Sequence, residues 1–374
     1  MQRRVHELRD CGREREPQDP HHQRHARAEV PWLGCEHCLP QRLQRRDRSR
    51  LRQGLRLRHP LQDQRAAEVP QADVDHLQRE PVRHHQDGLH RDRSADPVIP
   101  FLLLAVVLTA VLGLAVGSFT NVVVYRVPAG LSVVHPRSAC PRCSTPIAAR
   151  DNVPVLSWLL LRAKCRTCAL PISARYPLVE LAVGVFWVAV TTWMVMAQPP
   201  LAEPGPAAAF MLQLTALLYV ATISIALALI DIDTKTLPDR IVWPSYAVVG
   251  VLLAAAGVLN GDLEAVARAA AGAGILVGAY FILLMVSGGM GLGDVKLAGV
   301  LGLVLGWFGW QQLIVGAGAA FLLGGVFSIV LIALGRVKRK QGIPFGPWMI
   351  AGAWIGIFAG VPIADTYLSL VGLR

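Results

Sequence analysis

Two stretches of this chain decide how the rest is read: Ile230-Asp231-Ile232-Asp233-Thr234-Lys235-Thr236-Leu237-Pro238-Asp239 and Gly289-Met290-Gly291-Leu292-Gly293-Asp294-Val295-Lys296. Each lies at the edge of a long apolar run, and Asp231 and Asp294 are two of only ten carboxylates in residues 99–374. A carboxylate at membrane depth is costly and is a functional candidate by default. Two of them converging from different helices can share one proton and act as an acid/base dyad.

Outward from these stretches, the 374 residues are 53% hydrophobic with a mean hydropathy of +0.41, too apolar for a soluble protein of this size. Residues 1–98 depart from that average, with 20 Arg, no Lys, 16 acids, ten of the eleven His and one aromatic, Trp32. They carry too little apolar surface to offset the entropy of ordering. Three readings of this head stand side by side: a disordered extension, a non-native product of GC-rich sequence read in the wrong frame, and a basic arm. Its acids are interspersed with the arginines, which argues against the arm, and no nucleic-acid partner is expected. Cys35-Glu36-His37-Cys38 is a lone pair without a second pair nearby.

From residue 99 onward, apolar blocks alternate with short polar connectors. About 20 apolar residues span a bilayer core as a helix, which predicts spans at roughly 98–122, 177–197, 207–230, 241–259, 265–287, 295–309, 311–334 and 348–371. The expected fold is all-α and polytopic, with about eight transmembrane helices and no cleaved signal. Arg126, Arg137, Arg142, Arg150, Arg162, Lys164, Arg166 and Arg175 follow the first span, and Lys235, Arg240, Lys296, Arg336, Lys338, Arg339 and Lys340 occupy later connectors of the same parity. The alternate connectors lack Lys and Arg, so the basic ones are cytoplasmic by the positive-inside rule. Asp231 and Asp294 then share the cytoplasmic boundary.

The first connector holds Cys140-Pro141-Arg142-Cys143 and, 21 residues later, Cys165-Arg166-Thr167-Cys168. Two Cys-x-x-Cys pairs at this separation read as a tetrahedral zinc site, Cys140, Cys143, Cys165 and Cys168. A redox pair is the weaker alternative, because a reducing compartment disfavours structural disulfides.

The succession Gly117-Ser118-Phe119-Thr120-Asn121, the paired cysteines around Asp151-Asn152-Val153-Pro154, Arg175-Tyr176-Pro177-Leu178-Val179-Glu180, the Asp231 stretch and Gly291-Leu292-Gly293-Asp294 resembles the bacterial type IV prepilin peptidases. These are membrane aspartic proteases of the GxGD type. The resemblance runs from about residue 101 to 371. It implies a multi-pass enzyme of the inner membrane that cleaves the basic leader of type IV prepilins or pseudopilins at the cytoplasmic face. It implies Asp231 and Asp294 as the catalytic pair, and in many members S-adenosylmethionine-dependent methylation of the new N-terminus. No Gly-rich fingerprint marks an S-adenosylmethionine site here. The domains expected are the extension at 1–98, a first helix at 99–125, the zinc-binding loop at 126–176 and a peptidase core at 177–374. Ala163 and Thr120 depart from the common pattern without touching the dyad.

Simpler roles compete at several positions. Asp239 reads as the N-cap of the fourth span and Asp233 as a solvated loop charge. Asp294 alone would cap the sixth span. Glu180 would pair with Arg175, and Asn121 would bond between helices. Ile343-Pro344-Phe345-Gly346-Pro347 reads as a re-entrant turn or helix start. A transporter or scaffold using the carboxylates for protons or ions is the alternative from another class.

Overall fold

The computed structural model describes residues 98–140, 142–197, 204–287, 290–336 and 343–373. Its long helices are α1 (Val98–Arg126), α3 (Arg175–Ala197), α4 (Pro204–Thr234), α5 (Asp239–Asn260), α6 (Leu263–Ser287), α7 (Leu292–Phe308), α8 (Trp310–Ala333) and α9 (Gly346–Leu370). The short α2 (Leu156–Leu160) lies in the connector between α1 and α3. The described residues form no β-strand, only the isolated bridges Ala139–Pro146 and Lys164–Pro171. All eight expected spans are helices at the expected places. The head, the Cys35–Cys38 pair and the basic residues Lys338, Arg339 and Lys340 lie outside the described residues.

Seven of the eight long helices have the length and apolarity to cross a membrane, so the chain is a multi-pass membrane protein. The exception is α7, whose 17 residues span only about 25 Å at helical rise. Arg268 of α6 compensates at its C-terminal end: Nε donates to the Gly306 carbonyl at 3.0 Å and Nη2 to that of Trp307 at 3.1 Å. These carbonyls have no partner within their own helix, and an arginine there also opposes the helix dipole. Gly309, at φ +146°, then separates α7 from α8 as a single residue.

Lipid supplies little hydrophobic drive between helices, so close packing has to come from small residues. Three helix pairs show this. A methyl on Gly117 of α1 would lie 2.7 Å from the Glu180 Cα of α3. One on Gly272 of α6 would lie 2.5 Å from the Gly302 oxygen of α7. One on Gly352 of α9 would lie 2.4 Å from the Ala320 nitrogen of α8. The central α4 packs against α1, α3, α5 and α9. Its polar side chains satisfy buried donors: the Trp354 indole donates to Ser224 Oγ and the Trp187 indole to Thr222 Oγ1, each at 3.0 Å.

The starts of α3, α5, α7 and α9 gather at the end of α4, with Arg175 on Asp233, Asp239 on Lys296 and Gly346 on Asp231. Among the described residues, Arg268 is the only cation of the helices' opposite end.

Gly352→Leu should lower the thermal unfolding midpoint in detergent, with overpacking costing roughly 1–3 kcal/mol. Gly318→Leu on α8, where a Cβ meets nothing within 4 Å, should leave the midpoint unchanged. Equal effects of the two substitutions would refute the close-packing account.

Candidate active site and metal centre

Asp231 lies inside α4, one turn before its end at Thr234, and is only 4% exposed. The expected boundary position is therefore one turn too early, because Thr234 continues the helix with its hydroxyl donating to the Ile230 carbonyl at 2.8 Å. A buried carboxyl needs a donor, and the Gly346 N–H supplies one to Asp231 Oδ2 at 3.0 Å. Gly346 is the first residue of α9, where N–H groups lack helical partners. The segment 343–347, to which the sequence assigned no chemistry, thus provides the ligand of one key carboxylate.

Asp294 sits in the first turn of α7, where Oδ2 accepts the Gly291 N–H at 3.1 Å. The capping role weighed for it from sequence is real. It is also half-buried. Leu237 stands between the two aspartates. A methyl on Gly346 would lie 2.7 Å from Asp231 Oδ2 and 3.4 Å from Leu237 Cδ2, and one on Gly293 would lie 3.0 Å from Leu237 Cβ. Glycine at 293 and 346 lets three segments from α4, α7 and α9 close around one leucine. Beyond it, Tyr280, Phe321 and Phe345 stack with centroids 5.3–6.3 Å apart.

The flanking charges differ from several expectations. Asp239 does not cap α5; Pro238 occupies that position, and Asp239 accepts from Lys296 Nζ at 2.8 Å. Lys296 also lies 5.8 Å from the Trp243 ring centroid. Asp233 is not a free loop charge, since it pairs with Arg175 at the start of α3. Arg175 is therefore not the partner of Glu180, whose Oε2 accepts the Val155 N–H of the connector at 2.7 Å. Asn121 bonds between helices as expected, donating to the Tyr176 carbonyl at 3.0 Å. Gly346, Leu237 and the Glu180–Val155 bond were not found from sequence.

The four cysteines converge. Their sulfurs all lie within 4.8 Å of one another, and those of Cys140 and Cys168 are 3.6 Å apart. Sulfurs at tetrahedral zinc distance are about 3.8 Å from each other, so the donor set can hold a metal ion. Each pair forms the same turn. The Ser144 N–H donates to the Cys140 carbonyl at 2.9 Å and the Ala169 N–H to that of Cys165 at 3.0 Å. Ser144 and Ala169 both adopt left-handed backbone, at φ 55° and 56°. Hydrogen bonds from Thr145 bring the Cys143 thiol down to about 6, and backbone donors at Cys168 and Thr167 lower that of Cys165. These two favour the thiolate that metals require, while burial and the three neighbouring cysteines push the Cys168 thiol up to about 11. Arg166 binds Asp151 in the same module and holds its carboxyl below the ordinary range.

Comparison with known proteins agrees with this arrangement. Residues 111–194 match the bacterial Peptidase A24 N-terminal domain and residues 218–334 the type IV leader peptidase family. A prepilin leader peptidase/N-methyltransferase of Aeromonas salmonicida (strain A449) is 35% identical over 303 residues, covering 73% of this chain and 96% of that protein. The protein of that name from Aeromonas hydrophila is 36% identical over 297 residues, covering 72% and 96%. The one from Pseudomonas aeruginosa is 33% identical over 312 residues, covering 74% and 100%. No solved structure matches significantly. With both of its domains in order on one chain, and curated relatives matched over nearly their whole length, the chain belongs to the type IV leader peptidase family.

Proposed function

We propose that this chain is the membrane endopeptidase that removes the leader of type IV prepilins or pseudopilins, with Asp231 and Asp294 as its catalytic dyad. The observation that supports the reading is that Gly346, whose N–H binds Asp231, and Gly293, which precedes Asp294, both pack against Leu237, so that the two carboxyl-bearing segments lie against one side chain. One ionised carboxylate takes a proton from water while one protonated carboxyl donates to the scissile carbonyl. Like charges held close cannot both ionise readily, so two carboxyls that face one scissile bond would carry one proton between them. The Gly346 N–H fixes the orientation of the Asp231 carboxyl, and the Gly291 N–H that of Asp294. The concentration of Lys and Arg at this end supports an inner-membrane topology with the site on the cytoplasmic side.

The curated relatives also carry N-methyltransferase in their names, and methyl transfer from S-adenosylmethionine to the new N-terminus is the second activity proposed. The cysteine module lies in the N-terminal domain matched by the family, and zinc suits its four thiolates. In this reading the domains are the zinc-binding connector at 126–176 and the peptidase core at 177–374.

Asp231→Asn and Asp294→Asn, each tested singly in membranes, should lower prepilin cleavage about 1,000-fold or more at normal expression. Near-normal cleavage by either variant would refute the dyad and favour a carrier or scaffold. Gly346→Ala places a methyl against the Asp231 carboxylate and should lower kcat at least about tenfold, or ~1.4 kcal/mol, with the variant still membrane-inserted. Cys140→Ser should release the bound metal, measured as zinc per chain by elemental analysis of purified protein; full retention would contradict the four-thiolate site.

A further inference from the structure

The connector between α1 and α3 contains an apolar surface that neither the metal nor the dyad uses. Leu156, Leu159 and Leu160 of α2 are 50%, 58% and 73% exposed. At spacings of three and four residues they share one helix face. Beneath them, Ser157 is buried and donates to the Arg150 carbonyl at 3.2 Å. The Trp158 indole donates to the Ile172 carbonyl at 3.1 Å. The short helix is thus held with its leucines outward.

Its position follows from two further contacts. Val155, immediately before α2, donates its N–H to Glu180 in the second turn of α3. Glu180 in turn lies against Gly117, nine residues before the end of α1, or about 13 Å along that helix. Both helices are candidate membrane spans. The start of α2 is therefore tethered to the first turns of the flanking span α3, at the end of the bundle rather than free above it.

Charge completes the pattern. Asp151 is the only acid in residues 126–176, and Arg166 occupies it. Arg150, Arg162 and Lys164 are exposed, and no ion pair to an acid forms at any of the three among the described residues, although the charge of Arg150 also reaches Asp151. All three adjoin α2 through the backbone: Arg150 as above, Arg162 by donating its N–H to the Leu159 carbonyl at 3.0 Å, and Lys164 to that of Leu161 at 3.1 Å. An apolar helix face at the interface, ringed by cations, is the composition that binds anionic lipid. A basic peptide would be repelled by the same cations.

We propose that α2 is an interfacial anchor: Leu156, Leu159 and Leu160 insert into the leaflet beside α1 and α3, while Arg150, Arg162 and Lys164 bind anionic phospholipid headgroups. The lipid thereby sets the height of the cysteine module over the membrane. The inference does not depend on the peptidase reading, and its test reads lipid contact rather than cleavage.

The full chain would carry Leu160→p-benzoylphenylalanine and be reconstituted in nanodiscs of phosphatidylcholine, alone or mixed with phosphatidylglycerol. After irradiation, adducts would be identified by mass spectrometry. Leu108→p-benzoylphenylalanine on the exposed face of α1 serves as the lipid-facing reference, and Leu159 as a second α2 position. Lipid adducts are expected at 159 and 160, several-fold more abundant with phosphatidylglycerol. Combined Arg150→Gln, Arg162→Gln and Lys164→Gln should abolish that preference. No lipid adduct on α2 while position 108 labels, or adducts to a second protein chain, would overturn the anchor. Equal labelling in the two lipids with the cations intact would overturn the headgroup assignment.

Discussion

A carboxyl group buried in an apolar bundle must be given a partner, and for Asp231 that partner is the backbone N–H of Gly346, 115 residues further along the chain. Leaving such a group unpaired costs several kcal/mol as an order of magnitude, so this bond pins the start of α9 to the end of α4. Only glycine permits it, since a Cβ at 346 would press on the same oxygen. Gly293 makes a matching concession to Leu237. The proposed dyad therefore depends on backbone approaching side chain at two points, and the glycine-lined contacts of α6 with α7 and of α8 with α9 carry the helices to those points.

The polar residues around the dyad tie it to its surroundings. Asp233, two residues after Asp231, is held by Arg175 from α3, and Lys296, two residues after Asp294, is held by Asp239 from α5. Exposed pairs of this kind contribute little stability individually. Their value lies in fixing the rotation of the two helix ends that carry the carboxyls. Arg175 also begins the helix whose Glu180 grips the connector at Val155. The connector that carries the cysteine module and the Asp231 helix end thus share one anchor, α3.

Much of this was legible in the sequence because lipid imposes simple rules. Apolar run length set the eight helices, and the distribution of Lys and Arg set which ends lie together. Paired cysteines at equal internal spacing announced a metal site, and rare carboxylates at span edges announced the dyad candidates. What escaped were contacts made by backbone. Gly346 carries no side-chain signal for its N–H donation to Asp231, nor Val155 for its bond to Glu180. Partner choice among nearby charges was also misread: Arg175 lies five residues from Glu180 in sequence but bonds Asp233, because i,i+5 positions diverge around a helix. Asp239 follows a proline at a helix start, a pattern that suggests a cap, yet Lys296 on α7 draws it sideways.

The central claim, two carboxyls sharing a single proton at the membrane boundary, is tested most directly by the pH dependence of kcat/KM for leader cleavage in nanodiscs. A shared proton predicts a bell, with activity falling on the acid side as both groups become protonated and on the alkaline side as both ionise. A profile with only one titrating limb, in a chain that remains folded across the range, would contradict it.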